Sequence, residues 1–147
     1  MPSFAEVRDA AIATLKPLLP KGTRCEAFEG ELTLEGVALK RLNRAGAVLI
    51  TCIGAMNTSS ENSLDCTMRL GLGAFCISKN AGGAKGREED ALPLAQTVVR
   101  TVHGSNFGLA NVIPGRVLQV ENMFTAEFEK HGITVWAVTW EHHIVFG

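Results

Sequence analysis

Between Leu64 and Cys76 apolar and polar residues alternate with a period of two, the pattern of a strand with one face buried. Leu64, Cys66, Met68, Leu70, Leu72, Ala74 and Cys76 share one face, while Asp65, Thr67, Arg69, Gly71 and Gly73 share the other. A slip of one residue would turn the whole apolar set towards water, so the register of this strand is strongly specified. Gly71 and Gly73 fall on the same face, where a neighbouring side chain or backbone can approach closely or a bulge can bend the strand. The C-terminal run Ile133 to Val145 repeats the pattern, with Trp136, Val138, Trp140, His142 and Ile144 on one face. Its other face is apolar first (Ile133, Val135, Ala137) and polar later (Thr139, Glu141, His143), so its beginning should be covered and its end should not.

Other segments fill in around these two. Ala45 to Ile53, AGAVLITCI, carries no charge and suits a strand covered on both faces, expected at the centre of the sheet. Cys25 to Phe28 and Val117 to Glu121 read as short strands, and an acidic alternating stretch surrounds Leu32 and Leu34. Ser3 and Glu6 form a capping box, followed by Phe4, Val7, Ala11, Ile12, Leu15, Leu18 and Leu19 at helical spacing. They predict a helix over Phe4 to Leu19, closed by Pro20-Lys21-Gly22, with Pro17 distorting its last turn unless the helix stops just before it. Asp90 is expected to cap a second helix, with Pro93 in its first turn and Leu92, Ala95, Val98, Val99 and Val102 as its apolar stripe until Gly104. Phe124 to His131 forms about two turns ending at Gly132. Two polar connections remain: an exposed loop, Gly54 to Ser63, and a flexible one, Asn80 to Arg87. This order predicts a single α+β domain, an antiparallel or mixed sheet with two main helices packed on one side.

A chain of 147 residues fits that plan, since one of this size buries about 68–70% of the surface its unfolded form exposes. Hydrophobic residues make up 46% and charged ones 20%, which indicates neither disorder nor a membrane protein. No apolar run approaches the roughly 20 residues that span a bilayer. Pro2, Ser3 and Glu6 at the start do not resemble an export signal, so a soluble protein made in the cytosol is expected. Fourteen basic residues against fifteen acidic ones give a net charge of −1, which argues against coating nucleic acid by neutralising phosphates. The four cysteines, Cys25, Cys52, Cys66 and Cys76, lack C-x-x-C spacing and read as reduced structural thiols.

The search for chemistry returns structural explanations. Gly82-Gly83-Ala84-Lys85-Gly86 lacks the spacing and the Lys-Ser/Thr ending of a phosphate loop. His142 and His143 are adjacent, so on a strand they point to opposite faces and cannot share a metal in regular geometry; His142 is expected to pack beside the tryptophans. His131 and His103, each followed by glycine, suit helix C-termini, where a protonated imidazole meets the negative end of the dipole. Glu88-Glu89-Asp90 suits a helix start for the mirror-image reason. There is no G-x-S-x-G elbow. No catalytic, cofactor or metal site is therefore expected.

The charge layout says more. Glu26, Glu29, Glu31 and Glu35 form an acidic stretch, and Lys40, Arg41 and Arg44 follow as a basic one. A solvated surface accounts for both. Attraction between neighbouring copies in a ring, acidic edge to basic edge, is the alternative.

A helix ending in an HG step (Val98 to Gly104), then PGRVLQVEN (Pro114 to Asn122), a short helix and GITVWAVTWEHHI (Gly132 to Ile144) resembles the small tail proteins of Mu-like bacteriophages and prophages. The likeness extends to the N-terminal helix and the overall length. Members of that family are thought to resemble tail terminators of long-tailed phages, α+β proteins that form a hexameric ring on the finished tail tube. The resemblance implies a structural role in the virion tail after assembly in the host cytoplasm; the alternatives are another tail or neck completion protein of the virion and a small ligand-binding or enzymatic α+β domain. Its implied partners are further copies of the chain, the tail tube protein and head-completion proteins, with DNA passing through the lumen and no membrane or cofactor. It supplies no catalytic residues. The regions it offers as docking surfaces are the polar loop Met56 to Ser63, with Asn57, Ser60 and Glu61, and the loop Lys79 to Arg87, with Lys85 and Arg87.

Overall fold

The computed structural model describes residues 2–29, 46–79 and 84–146, with side chains throughout these except at 84–90. The capping box forms as the sequence predicts: the Glu6 amide donates to Ser3 Oγ at 3.1 Å, and the Ser3 amide donates to Glu6 Oε2 at 3.3 Å. Helix α1 then runs from Phe4 to Leu15 and buries Val7, Ala11, Ile12 and Leu15. Pro17 decides its end, because the α-helix stops at Leu15 and a 3₁₀ turn, Lys16–Leu18, takes over.

Strands β1 (Arg24–Ala27), β2 (Ala47–Asn57) and β3 (Cys66–Lys79) are followed by helix α2 (Ala84–Val102), strand β4 (Arg116–Asn122), helix α3 (Ala126–Lys130) and strand β5 (Ile133–Phe146). Among the described residues the sheet has five strands in the order β1-β2-β3-β5-β4. There the β1–β2 pair is parallel, and β2–β3, β3–β5 and β4–β5 are antiparallel. The fold is α+β with a mixed sheet. Each of the two alternating runs becomes a 14-residue strand, and they pair along their whole length from Cys66↔Phe146 to Lys79↔Ile133.

Helices α1 and α2 cover the face on which Leu70, Leu72, Ala74, Cys76, Val138, Trp140 and Ile144 lie, and these residues form the main core with Val7, Leu15, Leu94 and Val98. On the opposite face a smaller cluster joins Leu49, Ile77, Ile133 and Val135 to Phe28 and to Phe128 of α3. That second cluster covers one end of the sheet only. Val135 is buried, whereas Thr139, Glu141 and His143 further along β5 are partly exposed, so the two-sided reading of this strand holds residue by residue. Gly46, at φ +83°, admits the chain to β2; a Cβ there would stand 2.3 Å from the Ile77 carbonyl oxygen.

Several expectations need correction. The AGAVLITCI strand is interior but not the middle strand, which is β3, and it continues to Asn57. It is covered on both faces only in its first half, because β1 flanks no more than Ala47 to Ile50 and the second core ends there. Leu64 lies outside β3 and is fully exposed, the alternation beginning in fact at Cys66. Helix α2 starts at Ala84, not at Asp90, so the predicted flexible loop to Arg87 is in part helix and Pro93 lies inside it. Ala, Lys, Arg and Glu in AKGREED are strong helix formers, and they outweigh one glycine. Gly104 (φ +79°) and Gly132 (φ +72°) do end α2 and α3 in the left-handed conformation.

Candidate interaction surface

Beyond the second core, no helix among the described residues covers the face of the sheet turned away from α1 and α2. A β-bulge in β2 between Cys52 and Gly54 inserts Ile53 and kinks the strand. Ile53 lies across β3, where a Cβ on Gly73 would meet its Cδ1 at 3.3 Å. The close approach foreseen at Gly71 and Gly73 is thus filled by a side chain of the neighbouring strand. Past the bulge, cross-strand register sets a row across the sheet: Gly54, Gly71, Glu141 and Arg116.

This row forms the floor of an open groove of about 630 Å³ whose apolar rim includes Ile53, Met56 and Leu118. These three residues are 62%, 59% and 52% exposed, which gathers large apolar side chains around one groove and makes it the candidate contact surface. Two arginines flank the floor. Arg69 is held in place, its Nε 3.5 Å from Glu141 Oε2 and its Nη2 3.4 Å from Met56 Sδ. Arg116 is exposed and makes no ion pair among the described residues.

The β2–β3 hairpin projects beside the groove. The Thr58 amide donates to the Thr67 carbonyl at 2.8 Å and closes a loop over residues 58–65. Asn57 is the last residue of β2, and its side-chain oxygen accepts the Ser59 amide at 2.8 Å. The Ser60 carbonyl accepts the Ser63 amide at 3.1 Å, and Glu61 is exposed at the tip. The predicted polar loop is therefore half strand (Gly54 to Asn57) and half turn. Leu64, at 103% relative exposure, stands at this tip between Glu61 and Asp65.

The other expected docking region sits at the far end of the sheet. Lys85 and Arg87 lie in the first turns of α2, which follows the Lys79 end of β3, whereas the hairpin tip precedes Cys66. The fourteen residues of β3 alone span about 45 Å. Glu29 is exposed, with Oε1 3.4 Å from Arg8 Nη1 of α1. Glu31, Lys40, Arg41 and Arg44 lie outside the described residues. Missing from the sequence-based expectations were Ile53, Arg69, Arg116 and Leu118, while Met56 entered them only as the first residue of the polar loop. Gly54 beside Ile53 was the available sign of a bulge, but nothing in the linear pattern shows which half of a face stays uncovered.

The groove holds no arrangement of nucleophile and base, and among the described residues no three His, Cys, Asp or Glu side chains gather to hold a metal ion. Cys25 and Cys76 are buried free thiols; burial pushes the Cys25 thiol up to about 11 and raises that of Cys76 as well. His142 packs beside Trp140, as expected: the indole Nε1–H donates to His142 Nε2 at 3.0 Å. His103 departs from expectation, since its Nδ1 accepts the Val117 amide at 3.2 Å and so helps fix the start of β4.

No protein-family model and no curated protein matches the chain. Solved structures do. A chain from the virion of a native gene transfer agent particle superposes with a TM-score of 0.55 over 90% of this chain and 85% of its own length. The likeness is one of fold. At 12% identity the gene transfer agent chain shares the arrangement of elements and little of the sequence.

Proposed function

We propose that this chain is a structural component of a phage-like virion and that it serves there as the tail terminator. In that role copies assemble into a ring, expected to be hexameric, that caps the tail tube and stops its polymerisation. The ring then presents the surface to which head-completion proteins dock. The observation that carries the virion part of this reading is the fold match to a gene transfer agent virion chain over nine-tenths of the sequence. The terminator part rests on the resemblance to small tail proteins, and the geometry is compatible with it. A terminator must meet the tube on one side and the neck on the other, and the hairpin tip and the start of α2 lie at opposite ends of β3. In this reading the role is not enzymatic, the protein resides in the tail after assembly in the host cytoplasm, and DNA only passes through the lumen.

Tail tubes assembled with and without the purified chain test the reading. Tubes of uniform length, capped at one end by a ring visible in negative stain, are the expected result. Tubes whose length distribution and ends are unchanged by the chain would overturn the terminator role, and labelling of another part of the tail or neck would reassign it within the virion.

A further inference from the structure

Leu64 is the most exposed large apolar side chain among the described residues, and it stands at a hairpin tip between two exposed carboxylates, Glu61 and Asp65. The open groove has the opposite character. Its rim is apolar through Ile53, Met56 and Leu118, and its floor lacks side chains at Gly54, where a Cβ would meet nothing within 4 Å, and at Gly71. Its charges are Arg69, Arg116 and Glu141; Arg69 pairs with Glu141, and Arg116 has no ion pair among the described residues. One surface is an acidic apolar knob; the other is a basic apolar groove.

We infer that the two are halves of one contact, the hairpin tip of one copy seating Leu64 in the groove of a second copy with Glu61 or Asp65 against Arg116. The occupant is a second copy because this chain itself supplies an apolar tip of opposite charge. In a ring, this contact joins copies head to tail, each with one knob and one groove left over until the series closes, whereas a reciprocal pair would stop at two copies. The inference rests on the ring-forming reading and identifies the junction within it. The charge pair sets orientation and encounter, while the buried leucine holds the contact closed.

Sedimentation velocity over a range of concentrations tests it, with Leu64→Ser as the knob variant and Arg116→Glu as the groove variant. Both positions are exposed, so unchanged melting curves serve as the folding control. The wild-type chain is expected to self-associate, and each variant to associate at least about tenfold more weakly. A one-to-one mixture of the two variants keeps one intact knob and one intact groove, and should give dimers rather than rings. Adding Asp65→Arg to Arg116→Glu should restore association by exchanging the charges. Rings of undiminished strength in the Leu64→Ser variant would overturn this junction and leave the terminator reading standing. A wild-type chain that stays monomeric at every concentration would overturn the junction too, with the tube assay then deciding the function separately.

Discussion

His142 shows how much one buried polar side chain constrains. Its Nε2 accepts from the Trp140 indole, so the ring proton must be on Nδ1, which lies 2.9 Å from the Ile113 carbonyl oxygen and donates to it. A second proton on Nε2 would set donor against donor in a site closed to water, and burial lowers the pKa of the imidazole. The unfolded chain therefore binds the proton more readily than the folded one. His142 contributes stability that is complete above the unfolded value of about 6.5 and is lost as the pH falls below it towards the folded value. Melting temperatures across this range should drop with acid, and a His142→Gln variant, less stable overall, should show a shallower drop. Gly46 carries a different constraint. Gly46→Ala combines a left-handed φ with a clash on the Ile77 carbonyl, and should cost at least about 2 kcal/mol in denaturant unfolding. The packing of His142 beside tryptophan was legible from its place on the apolar face of β5. Its tautomer was not, because the Ile113 carbonyl comes from a loop that no local pattern places there.

At the scale of elements, legibility followed the strength of the local signal. The capping box fixed the start of α1, and Ser3→Ala should lower stability by about 1 kcal/mol by leaving the Glu6 amide without its acceptor. Period-two alternation gave β3 and β5 and even the change of character along the outer face of β5, since burial on a sheet is written directly into the sequence. The start of α2 was misplaced because Asp90 looks like a cap, while the helix propensity of the seven residues before Ala91 extends it backwards. The length of β2 was missed for a tertiary reason. Ala55, Met56 and Asn57 are polar or exposed, and only pairing with Leu70, Arg69 and Met68 makes them strand. The bulge at Ile53 belongs to the same class, produced by two unequal strands and not by either one.

For the whole molecule, α1 and α2 build the main core on one face of the sheet while the second core covers one end of the other, and that asymmetry creates the surface on which the proposed function depends. Composition and charge bounded this outcome without placing it. A net charge of −1 says nothing about where Arg116 stands relative to Glu61 and Asp65. If copies join through those groups, raising the salt concentration should slow association more than it speeds dissociation, because screening acts on the encounter while the apolar contact holds the joined state. Stopped-flow association and dissociation rates at low and high salt would check this; equal changes in both would point to a contact with little electrostatic steering.

The continuous pairing of β3 with β5 also makes this chain a ruler. A hydrogen-bonded ladder does not stretch, so whatever binds at the hairpin tip and whatever binds at the start of α2 are held apart by a count of residues. Adding two residues to both strands would keep every side chain on its proper face and lengthen the span by about 6.6 Å, whereas adding one would turn the core outward. Any assembly built on both ends inherits that spacing in steps of two residues.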